Sequence, residues 1–215
     1  VNQESKAAHF EPAQLKLARE LGSATLHEAA GRIGALPSAI KPLSPAMHLA
    51  GPAFTVHVPA FDNLWIHRAV YAAREGDILV ISTSGGLEAG YWGDILNEAA
   101  IAQHLGGIVI DGGVRDSAGL IRNSLPVFSN GVSIRGTVKG RETIAWLRQP
   151  IRIGEIVVKQ DDLVMGDADG VVVIPAKDVG RVLDAGTRRD SDETEKIARI
   201  RAGERTIDLY GFGPS

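Results

Sequence analysis

The sequence has no cysteine in 215 residues, which excludes disulfide scaffolds, thiolate zinc sites, iron–sulfur clusters and a cysteine nucleophile together. Neither sign of charge dominates: 23 basic side chains stand against 26 acidic ones, a formal net charge of −3. That balance carries no electrostatic footprint for nucleic acid or for an anionic membrane, so neither is an expected partner. No apolar run approaches the ~20 residues that cross a bilayer, and no charged-then-apolar leader opens the sequence. A cytoplasmic globular protein is the expectation.

What is present is a hydrophobic share of 44%, enough for a real core. At roughly 100–200 residues per domain, the length predicts a single domain over residues 1–215. Pro12 and Gly22 bracket a first helix, and a second begins near Ser23. The three prolines between Pro37 and Pro45 mark a loop. Alternation follows: a strand at Phe54–Val58, a helix over Leu64–Arg74 and a doubly buried strand at Ile78–Ile81. A glycine-rich loop (Thr83–Gly93), a helix from about Asp94 to Leu105 and a strand at Ile108–Ile110 come next. This order predicts βαβ units around a sheet with a parallel component. Short strands at Val127-Phe128, Ser133-Ile134, Ile153–Lys159, Leu163–Met165 and Val171–Ile174 predict a β-rich layer packed on that α/β portion. A long charged helix is expected over about 176–203, either as a solvated face or as a segment reaching over a neighbouring subunit.

Most familiar motifs are missing. The six histidines form neither HExxH nor a tight pair, and an EF-hand loop started at Asp167 puts Val171 at a ligand position. Gly85-Gly86 and Gly112-Gly113 do not complete GxGxxG, no GK[ST] follows, and no serine sits in GxSxG. Gly93-Asp94 is more informative, because a glycine-rich loop there meets a helix start. The first amides, those of Asp94, Ile95 and Leu96, have no intrahelical partner and favour an anion. Asp94 reads equally well as a plain N-cap. Beyond the next strand comes Asp111-Gly112-Gly113-Val114-Arg115-Asp116, and the two loops can share one sheet edge. Arg115 and Asp116 are then either a local ion pair or a site for a metal-bound carboxylic acid. Local physics leaves these two readings even.

Gly93-Asp94, twenty intervening residues and Arg115-Asp116 together resemble the signature of class II pyruvate aldolases within the RraA-like family. The strings Asp62–His67, Gly76–Val80, Gly90–Asp94 and Asp167–Val173 are similar to the same branch, and the likeness runs from about Leu21 to Tyr210. The resemblance implies an α/β fold, an αββα-type sandwich of swivelling-domain topology, assembled as homotrimers or homohexamers with the site between subunits. It implies a divalent metal, Mg²⁺ or Mn²⁺, held by Asp116, with Arg115 on the pyruvyl group. Asp94 would order metal-bound water, and the amides after Gly93 (Asp94, Ile95, Leu96) would take the substrate carboxylate. Glu195, with Glu193 as second choice, would come from the C-terminal helix of an adjacent subunit. The implied reaction is retro-aldol cleavage of 4-hydroxy-4-methyl-2-oxoglutarate-type 2-oxo acids to pyruvate and a second 2-oxo acid. Oxaloacetate decarboxylation would proceed through the same pyruvate enolate. One position departs from the pattern: three residues after Asp116, where an acid is usual, stands Gly119. A missing carboxylate there would weaken or reorganise metal hydration. The alternative is a non-catalytic regulatory binding protein of the ribonuclease E regulator type.

Overall fold

The computed structural model describes residues 10–141 and 144–213, so His9 lies outside it. In chain order its elements are α1 (Pro12–Ala29), β1 (Lys41–Pro42), β2 (Leu49–His57), α2 (Leu64–Ala72), β3 (Ile78–Ser82), β4 (Gly90–Trp92), α3 (Asp94–Ala102), β5 (Gly107–Ile110) and β6 (Gly113–Val114). There follow α4 (Ser117–Arg122), β7 (Val127–Ser129), β8 (Trp146–Leu147), β9 (Ile151–Ile153), β10 (Ile156–Val158), β11 (Leu163–Asp167), β12 (Gly170–Ile174), α5 (Val179–Arg201) and α6 (Thr206–Leu209).

α1 is two helices run together. Gly22 interrupts it with φ 79° and ψ 163°, a conformation open to a residue without Cβ. The second segment is capped from a distance: the amide and hydroxyl of Ser23 both donate to the Asp167 carboxylate at 2.7 Å.

The sheet grows outward from β2. Residues Leu49 to Pro52 pair antiparallel with β11, and Ala53 to His57 pair parallel with β3. On the β3 side, β5 and β7 continue in parallel and β1 closes the edge antiparallel. On the other side β12 pairs antiparallel with β11. Lys41 Nζ in β1 donates to the Asp169 carbonyl in the β11–β12 turn, so the sheet is nearly closed. Strand side chains alternate between faces, which sorts the core into three clusters. Ile78, Val80, Val109, Phe128, Val164, Val171 and Val173 meet inside the curled sheet. Phe54, Leu79, Ile81, Ile108 and Ile110 lie outside with Ile66, Leu96 and Leu120 of α2, α3 and α4. Leu163, Met165, Val172 and Ile174 lie outside on the other flank with Leu26, Val182 and Leu183 of α1 and α5. Two helical layers around two sheet faces are the αββα arrangement that the resemblance implied.

Three expectations are corrected. Ser133-Ile134 is not a strand, and Ile134 is 95% exposed. Ile153–Lys159 is not one strand, because the hairpin β9–β10 turns at Gly154, whose φ is 58°. Nor do the later strands form a separate layer: β7 enters the parallel sheet, and β11 and β12 extend it from β2. Among the described residues no helix is long and apolar enough to cross a membrane.

Candidate functional site

The start of α3 is set against the start of α4. Gly93 is the N-cap of α3, and a Cβ on it would stand 3.1 Å from Arg115 Cγ and overlap the Asp116 carboxylate. Glycine there lets the two segments touch. Asp116 precedes α4 in the left-handed region, φ 56° and ψ 34°, which aspartate tolerates better than most residues. Its carbonyl accepts the Gly119 and Leu120 amides at 2.8 and 3.1 Å. Its side chain is thereby turned back: Oδ2 accepts the Asp94 amide at 3.2 Å and lies 3.6 Å from Arg115 Nε. The Arg115 backbone is fixed by its amide bond to the Trp92 carbonyl at 2.8 Å.

The side chains of Arg115 and Asp116 remain 48% and 42% exposed. A pair so exposed stabilises the fold by about 1 kcal/mol at most. Their shared geometry is therefore better suited to a ligand than to stability. Asp94 joins them because Gly119 has no side chain. A Cβ on Gly119 would come 2.8 Å from Asp94 Cγ and Oδ2, and closer still to Oδ1. Asp94, Arg115, Asp116, Ser117 and Gly119 thus line one cavity of about 600 Å³, bordered by Val132 and Ile134.

A smaller cavity of about 130 Å³ sits over the start of α3 and is lined by Asn63, His67, Gly93, Ile95, Leu96, Arg115 and Lys139. Burial, helped by the Lys139 charge, lowers the His67 pKa, so at neutral pH the imidazole is uncharged. Arg115 lines both spaces. One expected donor is already engaged, since the Asp94 amide points at Asp116; the Ile95 and Leu96 amides remain without intrahelical partners by position. Sequence reasoning did not single out Asn63, His67 or Lys139 as site residues. The string Asp62–His67 was the only signal for the first two, and none pointed to Lys139.

Asp94 and Asp116 are the residues of this cavity that could hold a hard cation. Asp94 and Asp116 offer only oxygen, and among the described residues no group of three His, Cys, Asp or Glu could hold a metal. Mg²⁺ characteristically uses one or two carboxylates and keeps several waters. Glu195 and Glu193 lie elsewhere in the chain, on α5, which packs with α1. Glu193 is paired with Arg189 at 2.7 Å, whereas Glu195 is exposed.

Comparison with known proteins identifies the family and agrees with the fold. The family model RraA-like, Aldolase/RraA, matches residues 23–173. A Halalkalibacterium halodurans protein provisionally named 4-hydroxy-4-methyl-2-oxoglutarate aldolase is 31% identical over 192 residues, 89% of this chain and 90% of that one. An uncharacterized Pseudomonas syringae protein of known structure superposes with a TM-score of 0.81 at 26% identity, covering 95% of this chain and 96% of its own. Streptomyces coelicolor RraAS2, described as an unusual member of the RNase ES inhibitor RraA family, gives 0.74 at 26% identity, over 90% of this chain and all of its own. With the Gly93-Asp94 and Arg115-Asp116 segments inside the matched span and the αββα sandwich around them, the chain belongs to the RraA-like family.

Proposed function

We propose that this protein is a divalent-metal-dependent carbon–carbon lyase that releases pyruvate from 4-hydroxy-2-oxo diacids and from oxaloacetate. The observation that carries the reading is the convergence of Asp94, Arg115 and Asp116 on one cavity beside the α3 N-terminus. Mg²⁺ or Mn²⁺ held by Asp116 would supply a positive charge that polarises the 2-oxo group. The remaining work falls to the chain. The Ile95 and Leu96 amides bind the substrate carboxylate, supported by the helix dipole. Arg115 presents a fixed guanidinium where negative charge develops on the 2-oxo oxygen as the carbon–carbon bond breaks. Asp94, resting on Gly119, holds a water at the face of the substrate that must gain or lose a proton.

A second copy of the chain completes the site in a trimer or hexamer. The exposed apolar residues Val132 and Ile134 on this cavity and Ile95 on the smaller one support that closure, and the exposure of Glu195, against the 2.7 Å bond of Glu193 to Arg189, favours Glu195 as the acid supplied. The second reading, a non-catalytic regulator, is favoured by Gly119 in place of a carboxylate and by the likeness to Streptomyces coelicolor RraAS2 of the RNase ES inhibitor family. Pyruvate release from oxaloacetate with Mg²⁺ or Mn²⁺, above the metal-only rate, separates the two. Asp116→Ala is expected to abolish that excess, and equal rates for both proteins would favour the regulator.

A further inference from the structure

A separate cavity of about 750 Å³ opens at the carboxyl ends of the parallel strands. Its polar floor comes from His57 at the end of β2, Ser82 at the end of β3, Asp111 just past β5 and Asn130 just past β7. Apolar walls come from Ile40 and from the β9–β10 hairpin through Ile153 and Val157. Open α/β sheets bind ligands outside the carboxyl ends of their strands. A mostly apolar cavity of this size, with a few convergent polar groups, is the usual form of a small-molecule site.

The floor is ordered and holds a half-buried carboxylate, that of Asp111. Asp111 Oδ1 accepts the Thr83 amide and hydroxyl, both at 2.7 Å, while among the described residues the nearest donor to Oδ2 is the Ser82 hydroxyl at 3.4 Å, which bonds more closely elsewhere. Among the described residues no lysine or arginine forms an ion pair with this carboxylate, and burial raises its pKa. The His57 ring stacks on Trp146 at 3.7 Å, and its Nε2 lies 3.0 Å from Ser84 Oγ. The Ser84 hydroxyl donates to the Val58 carbonyl at 2.8 Å, which assigns the shared hydrogen to His57 Nε2. Burial also lowers the His57 pKa, against the opposing pull of the Asp111 charge. Arg152 lines the cavity too, but its side chain is exposed and its carbonyl accepts the Ser82 hydroxyl at 3.0 Å.

We propose that this cavity binds a small organic amine. Its ammonium head donates to Asp111 Oδ2, and its apolar body lies along Ile40, Ile153 and Val157. A half-buried carboxylate lacking a cation is costly until one is supplied, and the neighbouring aromatic pair favours a cation as well. The site does not depend on the lyase reading, since none of its lining residues lines the Arg115–Asp116 cavity.

The test is calorimetric titration of the full-length protein with three probes of one shape: 2-phenylethylamine, 2-phenylethanol and phenylacetate. The amine is expected to bind at least about tenfold tighter than the other two, the scale of one charge-assisted hydrogen bond. Asp111→Asn keeps an oxygen for Thr83 and removes the charge, so it should erase the amine's advantage. Val157→Trp, at a half-exposed wall position, should block all three probes. Equal affinities, a preference for phenylacetate, or no saturable amine binding at millimolar concentration would each overturn the proposal. So would amine binding undiminished by Val157→Trp, which decides the matter even if Asp111→Asn does not fold.

Discussion

Gly119→Ala is the smallest change that reaches the centre of the proposed lyase site. The added methyl would stand 2.8 Å from Asp94 Cγ and Oδ2, against the ~3.5–4.0 Å of an ordinary contact. The Asp94 carboxylate must therefore retreat by about 1 Å, and a misplacement of that size can cost on the order of 10²-fold in rate. At the same time alanine is the better helix former by about 0.5–1 kcal/mol, and Gly119 is inside α4 without a positive φ. Activity and stability should thus part company. Metal-stimulated pyruvate release falls on the order of 10²-fold while the thermal midpoint holds or rises. The control is the double variant: with Asp94→Ala already present there is no carboxylate to displace, so Gly119→Ala adds nothing further. If Gly119→Ala keeps activity within about twofold while Asp94→Ala loses it, the placement of Asp94 over Gly119 has no catalytic meaning.

Other outcomes follow from the same contacts. Arg115→Lys replaces a planar fork by a point charge and should lower kcat/KM by on the order of 10²-fold, read by steady-state kinetics on oxaloacetate. Asp167 is held below its ordinary pKa: burial alone would raise it, but hydrogen bonds from the Ser23 amide and hydroxyl and from the Asp169 and Gly170 amides outweigh burial. Its contribution to stability is present above its ordinary value near 3.8 and lost as pH falls through the lower folded value. Asp167→Asn should flatten that acid limb in urea unfolding measured at a series of pH values, and an unchanged limb would refute the assignment. Gly34→Ala puts a methyl into the Val173 carbonyl at a φ of 85°, and should cost more than about 1 kcal/mol in the same urea experiment.

What the sequence disclosed follows signal length. β3 and β5 were visible as apolar runs, and α3 as a helix bounded by glycines. β4, β6 and β8 are two or three residues long, too short to show a period. Six-residue α4 was hidden by its internal glycine and by a left-handed residue at its start. The β-rich layer was misplaced because strand content says nothing about which edge a strand joins; β11 pairs with β2 across more than a hundred residues. At the site, the Gly-Asp and Arg-Asp pairs were legible because each is contiguous. Lys139 was not, since it reaches the cavity from a loop that no local pattern connects to α3. Gly119 was noticed as a departure, but only the contact with Asp94 gives it a structural role.

The placement of β2 has a consequence for how the molecule comes apart. Its first half is hydrogen-bonded to β11 and its second half to β3, so both flanks of the sandwich are stitched to one nine-residue strand. Neither helical layer can open its sheet face without pulling at the same backbone. The amides from Ala53 to Val56 should then exchange with solvent only through global unfolding, and the two flanks should melt as one cooperative unit.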